Sequence, residues 1–344
     1  MHPEYLSDLE YIESTGALDC LDGYTVLLTG ATGMIGVCLI DALMHHNHKG
    51  GSVRVIACGR DVNKGKARLG DYFTDPYFSF LEQDVLNPFS KEVTADFIIP
   101  LASNTHPLAY SQYPIETIRI NYSGCLHALD LAVRCGARVL YPSTVEIYGN
   151  ASGEDVFTES YTGSLTLSTA RSCYTESKRV CEALCQSYIA ERGADIVIAR
   201  LSRIFGPTVL ASDTKASTQF IMRSVQGEDI ILKSAGEQLF SYTYVADCVA
   251  AMLHLMVKGI CGKAYNVSNP KCDVRLKEFA AICASASGGK VVFDLPSDAE
   301  KKGYSIASRA IMDNTLLVES GYTPHYSMED AIRRTIVILK DEIR

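Results

Sequence analysis

No run of lysine and arginine occurs in these 344 residues, and the formal net charge is −8, so a nucleic-acid surface would have to form against the overall field. Nucleic acid is not an expected partner. No apolar stretch approaches the roughly 20 residues that a membrane-spanning helix needs. The first residues, Met1 to Tyr11 with Glu4, Asp8 and Glu10, lack the basic-then-apolar pattern of a secretory signal. A soluble, cytoplasmic chain without membrane association is expected. Twelve cysteines are present, but no two stand in a CxxC pair. Most lie in apolar segments (Cys38, Cys58, Cys125, Cys181, Cys248, Cys283) and read as small buried hydrophobes of a reducing compartment. Cys181 and Cys185 share a helix face without His or Cys partners nearby in sequence. His45, His46 and His48 close a predicted helix before Lys49-Gly50-Gly51, where cationic side chains and glycine suit a helix end. No metal is expected. Internal repeats and low-complexity segments are also missing.

What is present is core material: 47% of the residues are hydrophobic, enough for two domains or one α/β domain with an appendage. Short β-branched runs at Thr25 to Thr29, Val53 to Cys58, Phe97 to Leu101, Arg138 to Tyr141 and Ile196 to Leu201 alternate with helical patterns at Met34 to His45, Ile115 to Cys135 and Tyr174 to Glu191. That βαβα rhythm predicts an α/β fold, a doubly wound parallel sheet of the Rossmann type, and continuous apolar strands suit a sheet covered on both faces. After Gly206-Pro207 the rhythm breaks into a helix near Phe220 to Gln226 and short mixed elements, read as a smaller mixed α/β C-terminal substrate region. The expected division is an N-terminal extension over 1–22, with an extra polar helix packed on the outside. A cofactor domain over 23–203 follows, then a mainly substrate-binding region over 204–344, with segments around 240–268 returning to the cofactor domain.

The first predicted strand runs into Gly30-Ala31-Thr32-Gly33-Met34-Ile35-Gly36 and then a helix. Gly30 would allow the tight turn, Gly33 the approach of a pyrophosphate, and Gly36 close packing of helix on strand, with the helix N-terminus facing the phosphates. The second strand ends in Ala57-Cys58-Gly59-Arg60 rather than in an acidic residue, with Asp61 following it and keeping NAD open. Arg60 could meet a 2′-phosphate or lie over adenine, so NAD is expected with NADP left open. Asp84 and Val85 suit an adenine edge, though Asp84 also suits a simple turn.

Tyr174 and Lys178, four apart on a helix, point to one face. The strand from Arg138 ends in Pro142-Ser143-Thr144-Val145-Glu146, putting hydroxyl and carboxylate groups at the carboxyl edge of the sheet, where open α/β sheets bind ligands. A phenol near pKa 10 is a weak base at neutral pH. A neighbouring ammonium and a nicotinamide's positive charge would both favour phenolate, each pKa unit being worth about 1.4 kcal/mol. Tyr174 could then deprotonate a sugar hydroxyl while its carbon yields hydride, with Thr144 bonding the same oxygen and Lys178 holding the cofactor ribose. Asn121, on the helix before the strand, can bridge helix backbone or water.

On these residues the chain resembles the extended short-chain dehydrogenase/reductases of the NAD-dependent epimerase/dehydratase family, from about Tyr24 onward. Within that family it looks most like UDP-glucuronate decarboxylases. Ser143-Thr144-Val145-Glu146-Ile147-Tyr148-Gly149 is similar to their STSEVYG, and Arg171 to Arg179 (RSCYTESKR) to their RxCYxExKR. Leu101-Ala102-Ser103 and Asn121 fall where the family keeps its cofactor wall. The resemblance implies oxidation at C4 of a nucleotide sugar by NAD, with Glu146 as base or water-positioning group in the second step, and a homodimer formed through Ile115 to Cys135 and Tyr174 to Glu191.

Two departures stand against the full pattern. Phe240 replaces the arginine of QxRxFxYVxD, which loses a C6 carboxylate or diphosphate contact, and Arg203 replaces the asparagine before FGP. Arg203, with Arg223 or Lys233, could bind the substrate anion from another direction, beside Ser143. A 4-epimerase or 4,6-dehydratase is the alternative within the class, and a non-catalytic NAD(P)-binding regulatory subunit the alternative outside it.

Overall fold

The computed structural model describes residues 1–105, 107–151, 155–294 and 308–343. Its helices are α1 (Pro3–Ser14), α2 (Met34–His48), α3 (Val62–Leu69), α4 (Pro107–Gln112), α5 (Pro114–Cys135), α6 (Ser172–Arg192), α7 (Ala216–Gln226), α8 (Val245–Lys258), α9 (Leu276–Ser287), α10 (Thr315–Glu319) and α11 (Met328–Ile343). A seven-stranded, wholly parallel sheet is built from β1 (Thr25–Thr29), β2 (Arg54–Gly59), β3 (Phe78–Glu82), β4 (Phe97–Pro100), β5 (Arg138–Thr144), β7 (Asp195–Leu201) and β11 (Ala264–Val267). Its spatial order is β11-β7-β5-β4-β1-β2-β3. The order reverses beside β1, which opens a crevice at the carboxyl ends of β1 and β4.

Alternation along each strand decides what covers the two faces. Val26 and Leu28 of β1, Leu140 of β5, and Val197 and Ala199 of β7 belong to the core that contains α2 and α8. Their neighbours Leu27, Val139, Tyr141, Ile196 and Ile198 belong to the core that contains α5 and α6. Both faces are therefore buried, and the strands can be apolar throughout. Helices α5 and α6 each end on a left-handed glycine, Gly136 at φ 67° and Gly193 at φ 66°.

The smaller region holds β6 (Val156–Phe157), β8 (Arg203–Phe205), β10 (Leu239–Tyr244), β12 (Asp273–Arg275) and β14 (Arg309–Met312) in a mixed sheet, with β10 pairing β12 antiparallel and β8 and β14 parallel. A separate parallel pair joins β9 (Ile230–Leu232) to β13 (Val291–Phe293).

Helix α1 is not an outer polar appendage. Leu9 and Ile12 are wholly buried, and so is Asp8, whose carboxylate accepts hydrogen bonds from Tyr244 (2.6 Å) and Tyr326 (2.8 Å) and pairs with Arg334 of α11 (2.7 Å). A fully buried acid explains why the segment reads as a surface helix in sequence. At the end of α2, His46 is bonded to Glu13 and Asp22. Among the described residues, Glu13, Asp19 and His46 bring potential ligand atoms within 4.8 Å of one another, but two ring nitrogens already engaged make this a helix-end ion pair. No helix among the described residues is long and apolar enough to cross a membrane.

Candidate active site

One cleft of about 1460 Å³ runs along the carboxyl ends of β1, β2, β4, β5 and β7 and on to β10. Single drug-sized ligands occupy roughly 300–1,000 Å³, so there is room for a dinucleotide and a second ligand. Every site residue expected from sequence lines this cleft except Asn121.

The floor at one end is the glycine turn. Gly30 has φ 68°, and a Cβ there would stand 2.8 Å from the Ala102 nitrogen. A Cβ on Gly36 would stand 2.6 Å from the Gly30 carbonyl. Turn, β4 end and α2 are thus packed backbone to backbone, and the first amides of α2 follow Gly33, its N-cap, without a side-chain cap. Those amides and the macrodipole suit a pyrophosphate. At the adenosine end, the Asp61 carboxylate caps α3 by accepting from Asn63 N (2.8 Å) and Lys64 N (3.2 Å), while Arg60 is exposed and 3.4 Å from Glu116. Asp84 both lines the cleft and closes a turn by accepting from Leu86 N at 2.9 Å, with Val85 beside it. Glycines that a Cβ would block, uncapped amides and this rim fit a nicotinamide dinucleotide.

Asn121 stands behind the wall. Its amide donates to Ser177 Oγ (2.8 Å) and accepts from Ser103 Oγ (2.6 Å), so it ties α5 to α6 and to the loop after β4. Asn121 does not line the cleft, and one N–H and the oxygen of its amide are engaged inside the protein.

At the centre, β5 delivers Thr144, whose hydroxyl accepts from Glu146 N (3.3 Å) and starts the short 3₁₀ turn Val145–Tyr148. That turn is anchored because Tyr148 OH donates to Asn266 of β11 (2.6 Å) and receives Arg200 of β7 (2.9 Å), itself paired with Glu182 at 2.7 Å. Tyr174 and Lys178 are buried one turn apart on α6. Lys178 Nζ donates to the Pro142 carbonyl at 2.9 Å and lies 5.1 Å from the Tyr141 ring centre. Burial pushes the Tyr174 phenol up, the Glu146 carboxylate adds to that, and the Thr144 hydroxyl pulls it back. Burial likewise lowers Lys178 below the usual amine range. The Lys178 ammonium donates to the strand carbonyl, and burial, Glu146 and Thr144 are what act on the Tyr174 phenol.

Several participants escaped the sequence reading. Tyr110 stacks on Tyr174; it sits in a segment with no apolar period to flag it. Arg171, legible only as part of a motif, lies 3.5 Å from Glu146. Cys125 joins Cys181 and Cys185 in the core beneath Lys178. The Ser143 hydroxyl and Arg203 Nη1 are buried without a hydrogen-bond partner, although both residues line the cleft. Arg223 is at the rim, paired with Glu228 at 3.1 Å, and Lys233 is exposed there.

The model of the NAD dependent epimerase/dehydratase family matches residues 26–268. The chain belongs to that family. It is 30% identical over 326 residues to UDP-glucuronic acid decarboxylase 1 of Xenopus tropicalis, covering 94% of this chain and 73% of the relative. It is 36% identical over 245 residues to UDP-glucuronic acid decarboxylase 6 of Arabidopsis thaliana, covering 71% and 69%. In fold it is similar to a dTDP-glucose 4,6-dehydratase of Streptomyces venezuelae (TM-score 0.79, 22% identity, 92% of this chain and 97% of that one). An epimerase of Methanothermobacter thermautotrophicus gives a TM-score of 0.82 at 20% identity, over 99% and 97%. This is a family of NAD-dependent enzymes that modify nucleotide sugars, which makes the chain an enzyme of that type.

Proposed function

We propose that the protein binds NAD, oxidises C4 of a nucleotide-linked sugar, decarboxylates the resulting β-keto acid and returns the hydride to C4, as a UDP-glucuronate decarboxylase does. The observation that carries this reading is the meeting of Thr144, Tyr174 and Lys178 at one point of a cleft whose far wall is the glycine turn. The names of the relatives at 30–36% identity support the decarboxylase branch.

Tyr174 is the base for the 4-hydroxyl proton, and Thr144 and Ser143 hold the same oxygen. NAD, when bound, takes hydride from C4 and supplies a positive charge beside the phenol. Lys178 leaves the Pro142 carbonyl within reach of a ribose, and the Gly30–Gly36 turn, Arg60, Asp84, Val85, Leu101, Ala102 and Ser103 hold the dinucleotide. A C4 ketone turns a C6 carboxylate into a β-keto acid, which loses carbon dioxide readily. Glu146, steadied by Arg171, then positions the proton or water that C5 needs. Arg203, Arg223 and Lys233 meet the anionic groups of the substrate. A homodimer is part of the proposal, supported by Ile115, Ile118 and Tyr122, exposed apolar side chains spaced three and four apart on α5, and by Val180 on α6.

The test is to incubate the purified chain with NAD and a panel of nucleotide sugars and follow product mass. Loss of carbon dioxide from UDP-glucuronate is expected. Loss of water, or an isomer of unchanged mass, would replace decarboxylation by dehydration or epimerisation. Inertness toward the whole panel would point to a non-catalytic subunit.

A further inference from the structure

The two residues that break the decarboxylase pattern touch each other. Arg203 opens β8 and Phe240 lies on β10, and these strands pair in parallel with Tyr242 opposite Arg203. The guanidinium carbon of Arg203 stands 3.7 Å from the centre of the Phe240 ring, and both side chains line the cleft. This is close face contact, which uses the plane of the guanidinium and leaves its N–H edge for hydrogen bonding.

That edge is unsatisfied: Nη1 is closed to solvent and finds no acceptor. A partly buried guanidinium without a counter-ion is costly unless a ligand on the open side of the cleft supplies one. Glu146 and Arg171, paired with each other at 3.5 Å, both act electrostatically on Arg203. With Lys178, three cations face one glutamate at the reacting end of the cleft, so this end carries surplus positive charge. In the proposed function this is where the sugar sits, so the anionic group that meets it is a carboxylate on the sugar.

We infer that Phe240 is a positioning residue that presents Arg203 to a carboxylate on the sugar, so that this pair selects an acidic sugar nucleotide over its neutral counterpart. The inference rests on the proposed function in taking a nucleotide sugar as the ligand of the cleft, with its sugar at the reacting end.

The experiment uses full-length Tyr174→Phe protein with NAD, so that binding is read without turnover, and titrates UDP-glucuronate and UDP-glucose by calorimetry. UDP-glucuronate is expected to bind about ten- to a hundredfold more tightly, the range for a hydrogen bond to a charged partner. Adding Arg203→Met should erase the difference without lowering the melting temperature. Phe240→Leu should shrink the difference although the cation remains, and Phe240→Tyr should keep it. Equal affinities in the parent protein, including no binding of either, overturn the inference, as does a preference that survives Arg203→Met. If the unmodified chain turns over a nucleotide sugar yet shows no such preference, this inference fails and the proposed function stands.

Discussion

The ring of Tyr110 lies over that of Tyr174, with centroids 4.8 Å apart and planes inclined by 23°. An offset aromatic pair of this kind contributes about 0.5–1.5 kcal/mol beyond its buried area, and here it fixes the ring that carries the proposed base. Tyr174→Phe keeps the stack and removes only the hydroxyl. Turnover should fall by roughly 100-fold or more while the melting temperature stays put. Tyr110→Leu should lower turnover less, through loss of ring placement. Full activity in Tyr174→Phe, measured in a steady-state assay, would remove Tyr174 from the chemistry.

Buried phenols set the alkaline limit of the fold. Tyr5, Tyr141, Tyr244 and Tyr322 are all held well above the ordinary phenol range, burial being the first cause in each. Unfolded tyrosines ionise near pH 10 while these stay protonated, so above that point the unfolded chain binds fewer protons than the folded one. The contribution is complete below about pH 10 and is lost as pH rises beyond it. Urea midpoints should hold from about pH 8 to 9.5 and then fall steeply by about pH 11. A flat profile would mean that these hydroxyls are not shielded.

Asp8 should be among the most costly residues to remove outside the cleft. Asp8→Ala leaves Arg334, which is only 7% exposed, with Glu4 as its remaining partner, and strands the hydroxyls of Tyr244 and Tyr326. A loss of about 3 kcal/mol or more is expected by denaturant titration. Pairing the change with Arg334→Met should recover much of it, because the uncompensated charge goes too. If the single variant is as stable as the parent, the buried network is not holding α1 to α11.

The proposed dimer makes a direct prediction for α5. Ile118 is 46% exposed in the single chain, so Ile118→Glu costs the isolated fold little. Light scattering should show the particle mass drop from twice the chain mass to the chain mass, with the secondary structure retained. A dimer that survives this charge lies on another face.

Five of the seven strands of the first sheet were legible as β-branched runs between turn signals, with most ends agreeing to within a residue, whereas β3 (FSFLE) and β11 (AYNV) are too mixed in polarity to stand out. Strand β5 is longer than expected: Pro142, Ser143 and Thr144 are polar or ring-locked, yet they keep the extended backbone that carries the hydroxyls to the cleft. Strands of two and three residues, such as β6 and β8, are too short for any period to reveal. The glycine turn and the Thr144, Tyr174 and Lys178 set were readable from local sequence because a strand-turn-helix unit and one helical turn fix them. The tie that Asn121 makes was not legible because its partners, Ser103 and Ser177, come from two other elements. For the same reason Phe240 and Arg203 were each visible as anomalies, while their contact depends on β8 pairing with β10.

The cysteine-rich interior has a practical use. Cys20 and Cys261 are exposed, whereas Cys38, Cys125, Cys181, Cys185, Cys248 and Cys283 are shut inside the core with no disulfide among them. Burial raises the thiols of Cys38, Cys248 and Cys283 further still, and a thiol that stays protonated alkylates slowly. A brief iodoacetamide pulse therefore labels the surface pair in the intact molecule and the interior set only in opened molecules. Counting adducts by mass spectrometry gives an intrinsic clock for how often the sheet's two covering layers come apart.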